Sequence, residues 1–181
     1  MKKHIIYTFL GGAILFFWQF LSHAALNIHA DAQAYTPKQL EILASLEALD
    51  IEPGQYMLGQ PDPSLPWEEQ EASMEAQAGK PWGVLNYQTV DNSNMMMNLI
   101  RGFSIALIVA ALFFWLVRNM AAVDLKKGLL LGLAVGMISY FLEPYSDYIW
   151  YKTPGILAHL LDGIVPWGIM GAIAGQMAKK A

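Results

Sequence analysis

Five ionisable side chains lie within or at the ends of long apolar segments of the sequence. They comprise two histidines, two carboxylates and one arginine: His23, Arg101, Glu143, His159 and Asp162. Charged side chains inside a membrane span cost about 2.5–3.5 kcal/mol each on insertion scales, so they normally face partners or water. His159 and Asp162 are three residues apart and therefore share one helix face. These five residues define the candidate polar site.

Four interpretations of this cluster follow from the residue types. In a structural one, Arg101 pairs with Asp162 or Glu143 while the histidines hydrogen-bond between helices. In a second, the cluster binds or transports a small ligand. In a third, the two histidines and two carboxylates hold zinc or iron, which accept such donors. In a fourth, His23 and His159 hold a b-type haem. Because the spacing matches no H-E-x-x-H signature, we assign neither a metal nor a cofactor.

Several common chemistries have no counterpart in the sequence. The chain contains no cysteine, which excludes a thiol nucleophile, a disulfide framework and a c-type haem attachment. It also contains no phosphate-binding P-loop and no G-x-S-x-G nucleophile turn. We therefore do not expect an enzyme.

Four apolar segments approach the length needed to cross a bilayer. The chain is 55% hydrophobic and 14% charged, and about twenty apolar residues span a hydrocarbon core. The expected spans are residues 1–26, 99–118, 125–143 and 156–177. The sequence thus predicts a mainly α-helical membrane protein, a four-helix bundle that carries a small α+β insert over residues 27–98, with the last three helices within residues 99–181.

Charge distribution predicts the orientation of these spans. Residues 27–98 contain eleven acidic side chains against only Lys38 and Lys80. Basic residues flank the spans on alternate sides, at Lys2–Lys3, at Arg118 with Lys126–Lys127, and at Lys179–Lys180. By the positive-inside rule, both termini are expected in the cytoplasm and the acidic insert in the periplasm, across a bacterial inner membrane. All five polar residues then lie near the outer leaflet.

The first apolar segment has a second interpretation as a signal peptide. Small residues that could form a cleavage site occur at Ser22–Ala24 and at Ala30–Ala32. However, the apolar run is longer than the usual ~7–15 residues, and Trp18, Gln19 and His23 suit a retained helix with packing partners. An uncleaved anchor is favoured.

Within the insert, turn and capping residues predict two helices and two strands. Thr36 and Pro37 are typical of a helix start, and a more polar helix is expected from about Pro66 to Ala78. The segments QYML and WGVLNYQTV have the composition of strands, and they are predicted to pair.

Glycines recur at helical spacing in the last two predicted spans. They are Gly128, Gly132 and Gly136 in one span, and Gly168, Gly171 and Gly175 in the other. Small residues at such spacing let membrane helices approach closely. We expect the contact within one chain rather than between subunits, although the motif permits both.

The sequence resembles a family of small, uncharacterised bacterial inner-membrane proteins with four helices. The resemblance rests on Gly11–Gly12, Phe16, Trp18, Ser22–His23, Leu26, the leucine-rich helix before Gly54-Gln55-Tyr56, the stretch YIWYKTPG, and Asp162. It implies only an architecture, that of four membrane helices with an extracytoplasmic insert after the first.

The expected function is therefore that of a non-enzymatic accessory or scaffold protein in a larger membrane complex. Its expected partners are the lipid bilayer and a membrane protein or a second copy of the chain, and not a nucleic acid. The acidic insert supports this, since acidic surfaces attract basic partners. The alternative is a small-ligand binder or transporter that uses the polar cluster, and a third is a metal- or haem-dependent membrane enzyme.

Overall fold

The computed structural model describes residues 2–179 and is mainly helical. Within that range the helices are α1 Lys2–Phe20, α2 Gln39–Ala48, α3 Trp67–Gln77, α4 Met95–Arg118, α5 Leu125–Leu142, α6 Pro144–Tyr151 and α7 Ile156–Lys179; the strands are β1 Gly54–Leu58 and β2 Gly83–Tyr87. The chain divides into two compact units. The helical unit runs to Ala34 and resumes at Ser93, and the insert unit is Tyr35–Asn92.

Four helical segments are long and apolar enough to cross a membrane, which confirms the prediction at that level. They are His4–Ala25, Met95–Arg118, Leu125–Tyr151 and Ile156–Met177. Their mean hydropathies lie between 1.5 and 2.2. The third is longer than the predicted span because the helix resumes at Pro144 and continues through the aromatic residues to Tyr151.

Helices α1 and α4 pack closely through two glycines near the middle of α1. A Cβ at Gly12 would lie 3.1 Å from the Cα of Leu107, and one at Gly11 would lie 3.1 Å from the Cβ of Ala110. The core of the helical unit lies beside this contact and includes Phe114 and Met170, both fully buried. Aromatic and aliphatic side chains therefore fill the space that the glycines leave around the helix crossing.

Helices α5 and α7 are joined backbone to backbone by glycines. A Cβ at Gly128 would lie 2.6 Å from the backbone nitrogen of Gly175. One at Gly132 would collide with the carbonyl oxygen of Trp167, and one at Gly136 with the carbonyl oxygen of Gly163. Only glycine permits this approach, because any side chain at these positions would push the helices apart.

Two of the long helices begin with side-chain caps. The Asn94 side chain accepts a hydrogen bond from the backbone nitrogen of Met97 at 3.0 Å at the start of α4. At the start of α5, the Asp124 carboxylate accepts one from the backbone nitrogen of Lys127 at 2.8 Å. This hydrogen bond lowers the pKa of the Asp124 carboxyl below its usual range, because it stabilises the charged form.

The insert unit contains the predicted small sheet. Strands β1 and β2 are antiparallel, with Gly54 opposite Tyr87 and Leu58 opposite Gly83. The helix predicted from Thr36 begins instead at Gln39, after a turn in which the Thr36 hydroxyl accepts a hydrogen bond from the backbone nitrogen of Lys38. Among residues 35–92, all of which the structure describes, only Tyr87 is buried.

Candidate functional site

The carboxyl end of α1 leaves regular helical geometry and carries a histidine back towards α7. Residues Leu21–Ala25 form a π-helical turn, a conformation often found at functional sites. Asn27 then adopts a left-handed conformation, with φ 48°. The tight turn Ala30–Gln33 follows, and its backbone bonds back to the carbonyl of His29. These bends bring His29 to the side of α7.

Asp162, one to two turns into α7, is the centre of the polar site. Its Oδ2 atom lies 2.9 Å from Nε2 of His29, and its Oδ1 atom accepts a 2.8 Å hydrogen bond from the indole nitrogen of Trp18. The side chains of His29 and Asp162 are only 6% and 12% exposed. A carboxylate this buried needs such partners, because desolvation of an unpaired charge is costly.

Three imidazole rings meet beside this carboxylate. The rings of His23 and His29 are stacked, with centroids 3.9 Å apart and planes 10° from parallel. The ring of His159 meets that of His29 edge to face at 4.8 Å. A neutral imidazole offers one nitrogen lone pair to a metal ion or to a proton.

The hydrogen bonds of His23 indicate which of its nitrogens is available. Its Nδ1 atom lies 3.1 Å from the carbonyl oxygen of Gln19 and 3.0 Å from the hydroxyl of Ser22. Because a carbonyl oxygen can only accept, Nδ1 carries the proton in this arrangement. The Nε2 atom of a neutral His23 is then left with a free lone pair.

A cavity of about 240 Å³ adjoins the cluster. Its lining residues come from α1, from the π-helical turn after α1, from α5, from the first residue of α6 and from α7. They are Gln19, His23, Ser139, Tyr140, Pro144, His159, Asp162, Gly163 and Trp167. The wall thus combines a carboxylate, imidazoles, an amide and a hydroxyl, which are groups that orient a small polar ligand.

The structure brings only part of the predicted site together. His23, His159 and Asp162 all line the cavity. Glu143 is exposed at the junction of α5 and α6 and does not line it, although the adjacent Pro144 does. Arg101 is exposed on α4. Across residues 2–179, Arg101 forms no ion pair with Asp162 or Glu143.

Two residues at the centre of the site, His29 and Trp18, do not belong to the predicted cluster. His29 lies beyond the predicted end of the first span, where helical spacing gives no information about its direction. A signal was nevertheless present, since three of the four histidines lie within a few residues of the end of the first predicted span or the start of the last. The indole of Trp18 lies on α1 one residue before Gln19, and only the fold shows that it faces Asp162.

The positions of the histidine rings and of Ser22 bear on two further functions, haem binding and a catalytic triad. The ring of His29 lies 3.9 Å from that of His23 and 4.8 Å from that of His159, so it contacts both of the rings that the haem hypothesis requires. Ser22 and His23 do not form a catalytic triad with Asp162, because the hydrogen bond to that carboxylate comes from His29. The Ser22 side chain is moreover fully buried.

The class of protein that the fold indicates is a multi-pass helical chain with four candidate membrane spans. No protein-family model, curated protein or solved structure matches the chain.

Proposed function

We propose that this protein binds a small polar ligand or ion in a site between the outer ends of its membrane helices, with the bacterial inner membrane as its location. The observation that carries the proposal is the buried Asp162 carboxylate, which has a histidine and an indole as partners and faces a polar-walled cavity. Ionisable groups within spans usually mark ligand or ion pathways. We therefore favour a binding function over the scaffold function that the sequence alone favours.

The cavity supports the proposal through its size and position. About 240 Å³ is slightly below the range of about 300–1,000 Å³ typical of sites for drug-sized ligands, so it suits an ion with its waters or a small molecule. His23 is exposed while His29 is buried. The site thus has an accessible side and a fixed side, as a binding site that exchanges its ligand requires.

The proposal predicts a bound species that depends on Asp162. The full chain, purified in a mild detergent, is examined by native mass spectrometry beside Asp162→Asn and Glu143→Gln. We expect a bound mass in the wild type and in Glu143→Gln, whose exposed side chain does not line the cavity, and its loss in Asp162→Asn. A wild-type protein without any bound species, or equal binding in both variants, would contradict the proposal.

A second candidate function, that of an accessory subunit, is favoured by the surface of the insert unit. Helix α2 and the residue that caps its end expose Leu40, Leu43 and Leu49 by 74%, 51% and 69%. These side chains lie within the acidic insert, so a partner would present an apolar groove bordered by basic residues. We expect co-purification of such a protein through a carboxyl-terminal tag, lost on Leu40→Ser with Leu43→Ser but kept on Leu58→Ser in β1. Purification of the chain alone would oppose this function.

A further inference from the structure

We infer that His23, His29 and Asp162 bind one divalent transition-metal ion of the zinc type, an assignment that rests on the proposed binding function and names its ligand. Each of the three side chains offers one ligand atom, and these atoms all lie within 4.8 Å of one another. Imidazole nitrogen and carboxylate oxygen are donors that Zn²⁺ accepts. Soft thiolate ligands that would select Cu(I) are absent, because the chain has no cysteine.

His29 and Asp162 are already close to the spacing of two ligands on one ion. Zn²⁺ bonds of about 2.0–2.1 Å in a tetrahedron place neighbouring ligand atoms about 3.3 Å apart. Nε2 of His29 and Oδ2 of Asp162 are 2.9 Å apart. An ion that replaces the proton between these two atoms therefore requires them to separate by only a few tenths of an ångström.

Hydrogen bonds to atoms that would not bind the ion orient two of the three ligands, as in known metal sites. Metal-binding carboxylates and histidines usually use their second polar atom in a further hydrogen bond. Here Oδ1 of Asp162 is held by Trp18, and Nδ1 of His23 is held by the carbonyl of Gln19. Oδ2 of the carboxylate and Nε2 of His23 are thus the atoms left to face an ion.

One ring must turn for all three ligands to reach the same ion. Because the rings of His23 and His29 are nearly parallel and stacked, no single point lies in both ring planes, as metal coordination requires. His29 is buried and fixed by Asp162, whereas the side chain of His23 is exposed. Completing the site therefore requires the His23 ring to tilt out of the stack, with a change in its hydrogen bond to the Gln19 carbonyl. The ring of His159 touches His29 beside the site.

The experiment uses the full chain, purified in a mild detergent with an affinity tag that contains no histidine and stripped with a chelator. Co²⁺ serves as the probe, followed by visible absorption and by elemental analysis of bound metal. We expect one ion per chain in the wild type, and its loss in His29→Ala, Asp162→Asn and His23→Ala. Since His23 is exposed, His23→Ala should leave the melting temperature of the chelator-treated protein unchanged.

The matched control is His4→Ala, which removes the only histidine outside the group His23, His29 and His159. His4 lies 19 residues before His23, about 28 Å along a helix, so this variant should keep full Co²⁺ binding. Trp18→Phe removes a contact behind the carboxylate and should weaken the affinity by about 10- to 100-fold. Equal loss in His4→Ala and His29→Ala, or no Co²⁺ uptake by the wild type, would overturn the metal site.

Native mass spectrometry of the same samples separates this inference from the proposed function. An organic species bound in the wild type and lost in Asp162→Asn, without any metal, would overturn the metal assignment and leave the binding function standing. Absence of both metal and organic species would overturn both. A metal bound in stoichiometric amount and lost with His29 supports both.

Discussion

At the scale of single residues, Asp162 determines how the site is organised. Each of its two oxygens has its own donor, one from α1 and one from the turn that follows it. Both donors come from sequence more than 130 residues away, at separations of 144 and 133. The carboxylate therefore links the beginning of the helical unit to its last helix, in addition to any role in binding.

Trp18→Phe tests the cost of leaving one carboxylate oxygen without its donor. Hydrogen bonds to charged groups contribute about 1.5–3 kcal/mol, so we expect the free energy of unfolding to fall by that amount. Denaturant titration in detergent, followed by circular dichroism, measures the change.

The matched control for this substitution is Trp115→Phe. Trp115 is 56% exposed on α4 and lies outside the site, so its replacement should change the free energy of unfolding by less than about 0.5 kcal/mol. Equal losses from the two variants would show that the hydrogen bond from Trp18 to Asp162 makes no specific contribution to stability.

At the scale of helices and strands, features with a local cause could be predicted from the sequence. The long apolar helices follow from composition, and the pairing of β1 with β2 follows from β-branched and aromatic residues. His29 could not be predicted to face α7, because its position depends on a π-helical turn and a left-handed residue. Neither conformation leaves a periodic pattern in the sequence.

The close contact between α5 and α7 through their glycines could likewise be predicted from the sequence only in part. The face of α7 that meets α5 follows a spacing of four, through Gly163, Trp167, Gly171 and Gly175. Trp167 contributes its backbone carbonyl to the contact with α5, and the residue type alone does not indicate this. Gly163 also lies on this face, but it is not among the glycines that the sequence predicts to form the contact. Gly168 lies beside this face, where a Cβ would meet only side-chain atoms of Leu133 and Leu129.

Gly132→Ala and Gly168→Ala form a matched pair that tests this geometry. A Cβ at Gly132 collides with the Trp167 carbonyl, and overpacking of this kind costs about 1–3 kcal/mol. A Cβ at Gly168 would lie 3.6 Å from Leu133, an ordinary contact. There, alanine should stabilise the helix by about 0.4–1 kcal/mol. Thermal unfolding in detergent gives both values, and a stable Gly132→Ala protein would refute the backbone contact.

At the scale of the whole molecule, the two units differ in how they are stabilised. The helical unit has a core of buried aromatic and aliphatic side chains. The insert unit, Tyr35–Asn92, buries only Tyr87 and leaves a shallow apolar cleft of about 260 Å³ beside Met57, Met74 and Trp82. A unit of this size with so little core has a small margin of stability. It should therefore lose its protection from hydrogen exchange well before the helical unit does.

The orientation of the chain in the membrane is open to a direct test because the protein contains no cysteine. Single cysteines can be placed at Ser73 in α3 and at Ala121 between α4 and α5, both exposed. If the basic clusters remain in the cytoplasm, a maleimide that cannot cross the membrane should label Ser73→Cys in intact cells. Ala121→Cys should be labelled only after lysis. The site around Asp162 would then face the periplasm, and its ligand would arrive from that side. The reverse labelling pattern would place the site towards the cytoplasm, and equal labelling of both cysteines in intact cells would contradict a membrane span between them.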